Sequence, residues 1–208
     1  MEILALETSS PRGSVALWRD GAIVAQEEFH SERTHNSVLF GPLARVLSKA
    51  GALRCLVCGT GPGSYTGVRV GLSAAIGISL ARGVPLLGLP SVLAVGGAAA
   101  RYAICGDARR GAWWWAEVEN GALTALPFAA PLEETSARAA AWSGPVFTVD
   151  AAAPPFAAAA LAIPDAAALA VAAAALTDAE IARLAAIPVE PLYLTAPFIT
   201  ESKKPVFA

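Results

Sequence analysis

The stretch Gly59-Thr60-Gly61-Pro62-Gly63-Ser64-Tyr65-Thr66-Gly67-Val68-Arg69-Val70-Gly71, with the charge-free run behind it, most constrains what this chain can fold into. The apolar residues 53–58 ahead of it read as a buried strand. Glycines and a proline exclude regular structure from Gly59 to Gly63. Ser64 and Thr66 are suited to capping, and residues 68–82 read as a helix entered from that loop. Strand, glycine-rich loop and helix is an arrangement that points backbone N–H groups at an anion.

Common nucleotide and catalytic loops do not fit. A P-loop needs Gly-Lys-Ser/Thr five residues after its first glycine. Gly61 and Gly67 are six apart, and Val68 and Arg69 stand where lysine and the hydroxyl residue belong. A dinucleotide fingerprint from Gly61 and Gly63 meets Thr66 in place of its third glycine. Around Ser64 a hydrolase elbow finds Pro62 and Thr66 instead of glycines.

The helix itself says more. Between Arg69 and Arg82 it carries no charge, and apolar residues go all the way round, so it must be covered on every side. Val68, Leu72 and Ile76 form a face for the chain's own sheet. Gly67, Gly71, Ala74 and Ile78 form a slim face that a second helix can approach closely. Two readings stand: an internal core helix of a doubly covered sheet, or a helix with one face turned to a partner.

Hydrophobic residues make up 55% of the 208 positions, which raises the question of a membrane. Prolines and glycines break each long apolar run, whereas a spanning helix needs about 20 uninterrupted apolar residues. Met1-Glu2 leads straight into a strand, with no basic-then-apolar leader. The expectation is a soluble, cytoplasmic protein. Residues 1–104 hold 9 Lys+Arg against 6 Asp+Glu, and residues 105–208 hold 6 against 11. Neither half is the dense basic face that nucleic acid requires.

Cys55 and Cys58 have redox-motif spacing but lie inside the apolar strand, and Cys105 is isolated. All three read as buried small hydrophobes. His30 and His35 are five apart across a polar turn, which does not put both on one helical face, so no metal site is expected.

In chain order, residues 3–6 form a buried strand ending in Glu7-Thr8-Ser9-Ser10. Strands follow at 14–18 and 22–29 around Arg19-Asp20-Gly21, then a helix at 36–50. A short strand at 85–89 precedes a helix that Ser91 caps and that reaches Arg101. The pattern then restarts. Strands at 102–107 and 112–119 come first, with Trp113 and Trp115 on one face, and Asn120-Gly121 makes a hairpin turn to residues 122–126. Alanine-rich helical pieces with one strand at 146–149 fill residues 131–184, and the run 151–175 is expected to pack as helix. A strand-hairpin-helix plan used twice predicts an α/β protein of two similar lobes.

Several of these segments resemble the TsaB (YeaZ) family. They are Ile3-Leu4-Ala5-Leu6-Glu7-Thr8-Ser9, Gly61 through Gly71, residues 85–91, Asp107-Ala108-Arg109-Arg110-Gly111 and Glu190-Pro191-Leu192-Tyr193-Leu194. They match in order along nearly the whole chain, the Gly-Pro-Gly-Ser-Tyr-Thr-Gly block most specifically. The resemblance implies a two-lobed actin-like (ASKHA, ribonuclease H-like) fold, with one lobe in residues 1–100 and a smaller one with a terminal tail in residues 101–208.

It also implies a non-catalytic, assembly and dimerisation role. TsaB docks and activates TsaD, which makes threonylcarbamoyladenosine beside the tRNA anticodon, and a TsaE-like ATPase joins the larger complex. The isolated chain is then a homodimer without a cofactor, with ATP or ADP entering only in the complex and tRNA touched mainly through it. The implied interface residues are Tyr65, Thr66, Gly67, Arg69, Val70, Gly71, Ala74 and Ile78; no residue is assigned to catalysis or to a metal.

Glu7, Thr8, Ser9 and Ser10 stand where related ATPases keep a phosphate hairpin, so they read either as its vestige or as caps for neighbouring N–H groups. Most TsaB proteins have Asp at Glu7, and Thr195 replaces the family's usual Arg. Arg69, in a first helical turn where a cation opposes the dipole, points to an acidic partner, a carboxylate either on TsaD or within the fold. The alternative is an ATP-binding small-molecule kinase or ATPase of the same fold, for which Asp107 to Gly111 is the candidate second phosphate loop.

Overall fold

Strand β1 (Glu2–Glu7) alternates its side chains between two apolar layers, which is why it lies at the centre of the first sheet. Leu4 and Leu6 enter one layer, Ile3 and Ala5 the other. The structure, a computed structural model, describes residues 1–30, 38–95 and 99–194; the expectations for His35 and Thr195 lie outside them.

β1 pairs antiparallel with β2 (Arg12–Arg19), which pairs with β3 (Ala22–His30). The tight turn between β2 and β3 uses Asp20 and Gly21, both at positive φ, 46° and 100°. On its other side β1 runs parallel to β4 (Leu53–Gly59), and β4 to β5 (Leu86–Leu89), giving the order β3-β2-β1-β4-β5.

Helices α1 (Phe40–Leu47) and α2 (Tyr65–Arg82) cover one face of this sheet. α1 contributes Leu43 and Val46, with Leu39 just ahead of it, and α2 contributes Val68, Leu72 and Ala75. A fully buried side chain of this size contributes about 1.5–3 kcal/mol relative to exposure.

The second sheet has the order β11-β10-β6-β7-β8, with β9 also paired to β7. Its strands are β6 (Arg101–Arg109), β7 (Ala112–Glu119), β8 (Ala122–Leu123), β9 (Phe128–Pro131), β10 (Val146–Thr148) and β11 (Ala160–Leu161). The turn after β7 uses Asn120 and Gly121, at φ 50° and 76°. Tyr102, Ile104 and Trp114 enter one core, and Ala103, Cys105 and Trp115 the other. Trp113 and Trp115 share a face, as their spacing requires, and both meet Phe156, with ring centres 5.3 and 6.4 Å away. α3 (Leu132–Ala141) packs on β7 and β9.

α4 (Ala166–Ala174) and α5 (Asp178–Ala185) return to the first sheet and cover its other face with Leu169, Ala170, Ala173 and Ile181. Their starts are well determined by capping. The Asp165 side chain accepts from Ala167 N–H, and Thr177 with Glu180 forms a reciprocal capping box. Ala166 N–H also donates to Ser14 Oγ at 2.8 Å, which joins α4 to β2. The first sheet, built from residues 2–89, is thus braced by two helices from the later part of the chain.

Two expectations need correction. Ser91 starts only a single 3-10 turn, Ser91–Leu93, rather than a helix reaching Arg101. Its hydroxyl accepts a hydrogen bond from Gly61 N–H instead of capping, and β6 already begins at Arg101. Of the alanine-rich run 151–175, only α4 is helical; 151–159 has no regular structure and 160–161 is β11. Pro154, Pro155 and Pro164 remove donors from that stretch, and apolar content alone did not reveal it.

Candidate docking surface and inter-sheet cleft

The glycine loop is folded against the end of β1. Ser64 caps α2 by accepting Gly67 N–H, and Gly83 at φ 64° closes the helix. Thr60 N–H donates to Leu89 O, Gly61 N–H to Ser91 Oγ, and Ser64 N–H to Ser9 O at 2.6 Å. Thr60, Gly61 and Ser64 N–H thus serve the chain itself and are not offered to an anion.

The same contacts seal Glu7, Thr8 and Ser9. A methyl group on Gly59 would lie 1.9 Å from Glu7 Oε2, one on Gly63 2.2 Å from Ser9 O, and one on Gly71 2.2 Å from Thr8 Oγ1. Thr8 Oγ1 donates to Gly67 O at 2.8 Å. Glu7 is wholly buried. Its Oε1 accepts Ser9 N–H at 2.6 Å, and its Oε2 makes no hydrogen bond. Burial raises the Glu7 pKa above the ordinary glutamate value, against hydrogen bonds from Ser9 that lower it. Of the four, Glu7 caps a neighbouring N–H, Thr8 and Ser10 donate to the carbonyls of Gly67 and Arg12, and Ser9 and Ser10 line a cavity.

α2 shows two unlike faces. Gly67, Val68, Gly71, Leu72 and Ala75 are buried in the chain's own fold. This corrects the expected division of the helix: Gly67 and Gly71 are roofed by Thr8, whereas Ile76, assigned to the inner face, is 41% exposed. The outer face carries Arg69, Ser73, Ile76, Gly77 and Leu80, and Leu80 is 78% exposed. Beside it runs an apolar groove of about 480 Å³ between α1 and α2, with Phe40, Leu43 and Leu47 on one wall and Ala74, Gly77 and Ile78 on the other.

Of the residues expected at an interface, Ala74 and Ile78 line the groove, Val70 is half-buried, and Tyr65, Thr66 and Arg69 are exposed at the start of the helix. Phe40 was not singled out as a surface residue. Leu39, Leu43 and Val46 occupy the core, and the adjacent Phe40 is left 55% exposed on the next stripe round.

Arg69 makes no ion pair with a carboxylate among the described residues. Its guanidinium lies 4.3 Å from the centre of the Tyr65 ring, and its Nε donates to the Tyr193 hydroxyl at 2.7 Å. The two rings stack with centres 5.2 Å apart. That hydrogen bond to Tyr193 is the main cause of a raised Arg69 pKa. Tyr193 belongs to a final strap, in which Val189 fills the space over Gly88 and Leu192 N–H donates to Thr60 O. Its part in the site was legible only as a segment similar to the family's; the contact with Arg69 spans 124 residues.

Behind this cluster a cleft of about 840 Å³ opens between the two sheets. Ser9, Ser10 and Ser64 line it from one side, Asp107, Arg109 and Asp150 from the other. Asp150 accepts Asp107 N–H at 2.6 Å, and burial raises its pKa. The turn Arg109-Arg110-Gly111 has positive φ throughout, and the Arg109 side chain pairs with Asp107. The cysteines are buried, and burial raises the thiol pKa of Cys55 to about 11 and of Cys105 to about 12, while Cys58 is raised by burial and by Glu7. His30 ends β3 opposite Arg12. Among the described residues no three His, Cys, Asp or Glu side chains converge as metal ligands, and no helix is long and apolar enough to cross a membrane.

A family model described as TsaD, tRNA N6-adenosine threonylcarbamoyltransferase, matches residues 26–146, more than half of the chain. The tRNA threonylcarbamoyladenosine biosynthesis protein TsaB of Escherichia coli is 34% identical over 134 residues, 58% of each chain. Its namesake in Haemophilus influenzae is 33% identical over 103 residues, 48% of this chain and 43% of that one. The matches thus span about half the length of these curated relatives. A Pseudomonas aeruginosa crystal structure, described as an uncharacterised protein with similarity to peptidase YEAZ, superposes with a TM-score of 0.72 at 25% identity. It covers 93% of this chain and 99% of its own. The fold is accordingly the α/β, two-lobed actin-like (ribonuclease H-like) one. The chain belongs to the TsaD-type family that this model describes, and it is similar to the TsaB (YeaZ) proteins.

Proposed function

We propose that this chain is a non-catalytic subunit in the biosynthesis of threonylcarbamoyladenosine in tRNA, and that it docks a TsaD-like catalytic subunit and favours its active state. The observation that carries this reading is the outer face of α1 and α2. The groove with Phe40, Ile78 and Gly77, and the neighbouring Ile76 and Leu80, form an apolar surface that the chain's own sheet does not cover. Small residues at Ser73, Gly77 and Ala81 let a second helix come close. The lobe of residues 1–100 supplies this face, and the lobe of residues 101–208 braces it through α4 and α5.

In this reading the same face joins two copies when the chain is alone, and a TsaE-like ATPase joins the larger assembly. ATP or ADP enters only there, tRNA is reached mainly through the complex, and the setting is the cytoplasm. The closed packing around Glu7 and Thr8 supports the absence of a phosphate loop of the ATPase kind. Mixing the chain with the TsaD-family protein of its own source and measuring the mass of the product tests the reading. A homodimer that gives way to a heteromer is expected; two proteins that stay separate overturn it.

The cleft between the sheets favours a second reading, an ATP-binding kinase or ATPase, because Asp107 and Asp150 face it. Titration with ATP and magnesium separates the two. Micromolar binding with turnover by the isolated chain supports the enzyme.

A further inference from the structure

The Arg69 cluster has features that a merely solvated charge lacks. Arg69 sits in the first turn of α2, which contains no acidic residue, so the helix N-terminus and the guanidinium add their positive potentials. Tyr65 holds the guanidinium against its ring, and Tyr193 takes the Nε hydrogen. Stacking and tethering restrict the side chain, and the Nη edge of a planar guanidinium is the part that receives a carboxylate in two parallel hydrogen bonds. The rings around it stay open, with Tyr65 47% and Tyr193 43% exposed.

The cluster is also continuous with the docking face. Arg69, Ser73, Ile76, Gly77 and Leu80 recur at helical spacing along one side of α2. A partner helix or loop laid over the apolar groove therefore reaches Arg69 at its end. We propose that Arg69, held over the Tyr65 ring and hydrogen-bonded to Tyr193, receives an Asp or Glu side chain of the docked subunit and sets the register of docking. Tyr193 is then a positioning residue: it fixes Arg69 and links the strap of residues 189–194 to the interface. The occupant is a protein carboxylate and not an RNA phosphate, because the anchor adjoins an apolar groove and neither half of the chain carries the dense basic face that RNA requires.

This inference rests on the docking reading, and one experiment separates their failures. Affinity of the full chain for the TsaD-family protein of its own source is measured at low and high salt, without and with tRNA, for wild type, R69E, R69K and Y193F. Loss of a charge-assisted pair predicts that R69E binds about 10- to 100-fold more weakly and loses most of the salt dependence. R69K keeps the charge but not the planar fork and falls between, and Y193F weakens binding by a smaller factor with an unchanged melting temperature. An Asp or Glu to Lys change on the partner restores R69E.

Wild-type binding matched by R69E and Y193F at every salt concentration overturns the Arg69 anchor and leaves docking intact. Weakening seen only when tRNA is present also overturns it, in favour of a phosphate site. No binding by wild type overturns the docking reading itself.

Discussion

Gly71 and Gly77 lie in the same helix, yet a side chain at the two positions would meet opposite worlds. At Gly71 it would strike Thr8 Oγ1 at 2.2 Å; at Gly77 it would find nothing within 4 Å. The difference divides α2 lengthwise. One side is built into the first sheet and tolerates no added volume. The other is as apolar but open among the described residues, and in the docking reading its composition answers to a partner. Uniform greasiness in a helix can therefore come from two separate causes on its two sides.

The contrast is most easily broken with leucines. Leu72→Ala on the inner side is expected to cost about 2–5 kcal/mol, read as a lower denaturation midpoint, because it leaves a cavity in the core. Leu80→Ala on the outer side is expected to stay within about 0.5 kcal/mol. Equal losses at the two sites would show that Leu80 is covered by the chain itself.

A smaller effect is expected at Gly71→Ala, about 1–3 kcal/mol of destabilisation, since Thr8 must move and its hydrogen bond to Gly67 O weakens. The double change Gly71→Ala with Thr8→Ala should recover part of the loss. Additive losses in that pair would separate Gly71 from Thr8 and contradict the packing described.

Glu7 probes the same sealed region through pH. Its folded-state pKa is raised by burial, so the folded chain holds this proton more tightly than the unfolded one. The associated stability is present in full below the unfolded value and is lost as pH rises through the raised folded value. Glu7→Gln should flatten that decline and be the more stable protein at neutral pH. A wild type whose stability rises with pH over this window, with the difference from Glu7→Gln moving the same way, contradicts a Glu7 pKa raised by burial.

Gly77→Ala gives the gentlest contrast. Removing a helical glycine from an open position should stabilise the free chain by roughly 0.5–1 kcal/mol. A loss there would mean that the outer face is already occupied.

Much of this was legible in the sequence for physical reasons. Strands β1, β4 and β6 declare themselves as short apolar runs, and Asp20-Gly21 and Asn120-Gly121 mark turns that need positive φ. The site was legible in part. Arg69 stood out because a cation is unfavourable at a helix start, but its partners Tyr65 and Tyr193 come together only through the strap. The face assignment of α2 failed because its apolar residues carry no period, so small size suggested an outer position for Gly67 and Gly71. The close approach that needs small residues there is made by Thr8, far away in the chain. The groove also needed α1, whose orientation decides that Phe40 and not Leu39 faces outward.

The most direct test of an uncovered, partner-directed face is Gly77→Trp. At Gly77 an added Cβ meets nothing within 4 Å among the described residues, so a tryptophan there projects into the groove of about 480 Å³ between α1 and α2 and fills it. The purified variant, mixed with the TsaD-family protein of its own source and weighed by light scattering, should melt like wild type and form no heteromer. A heteromer of wild-type mass and affinity would contradict the claim that this groove is where the partner sits.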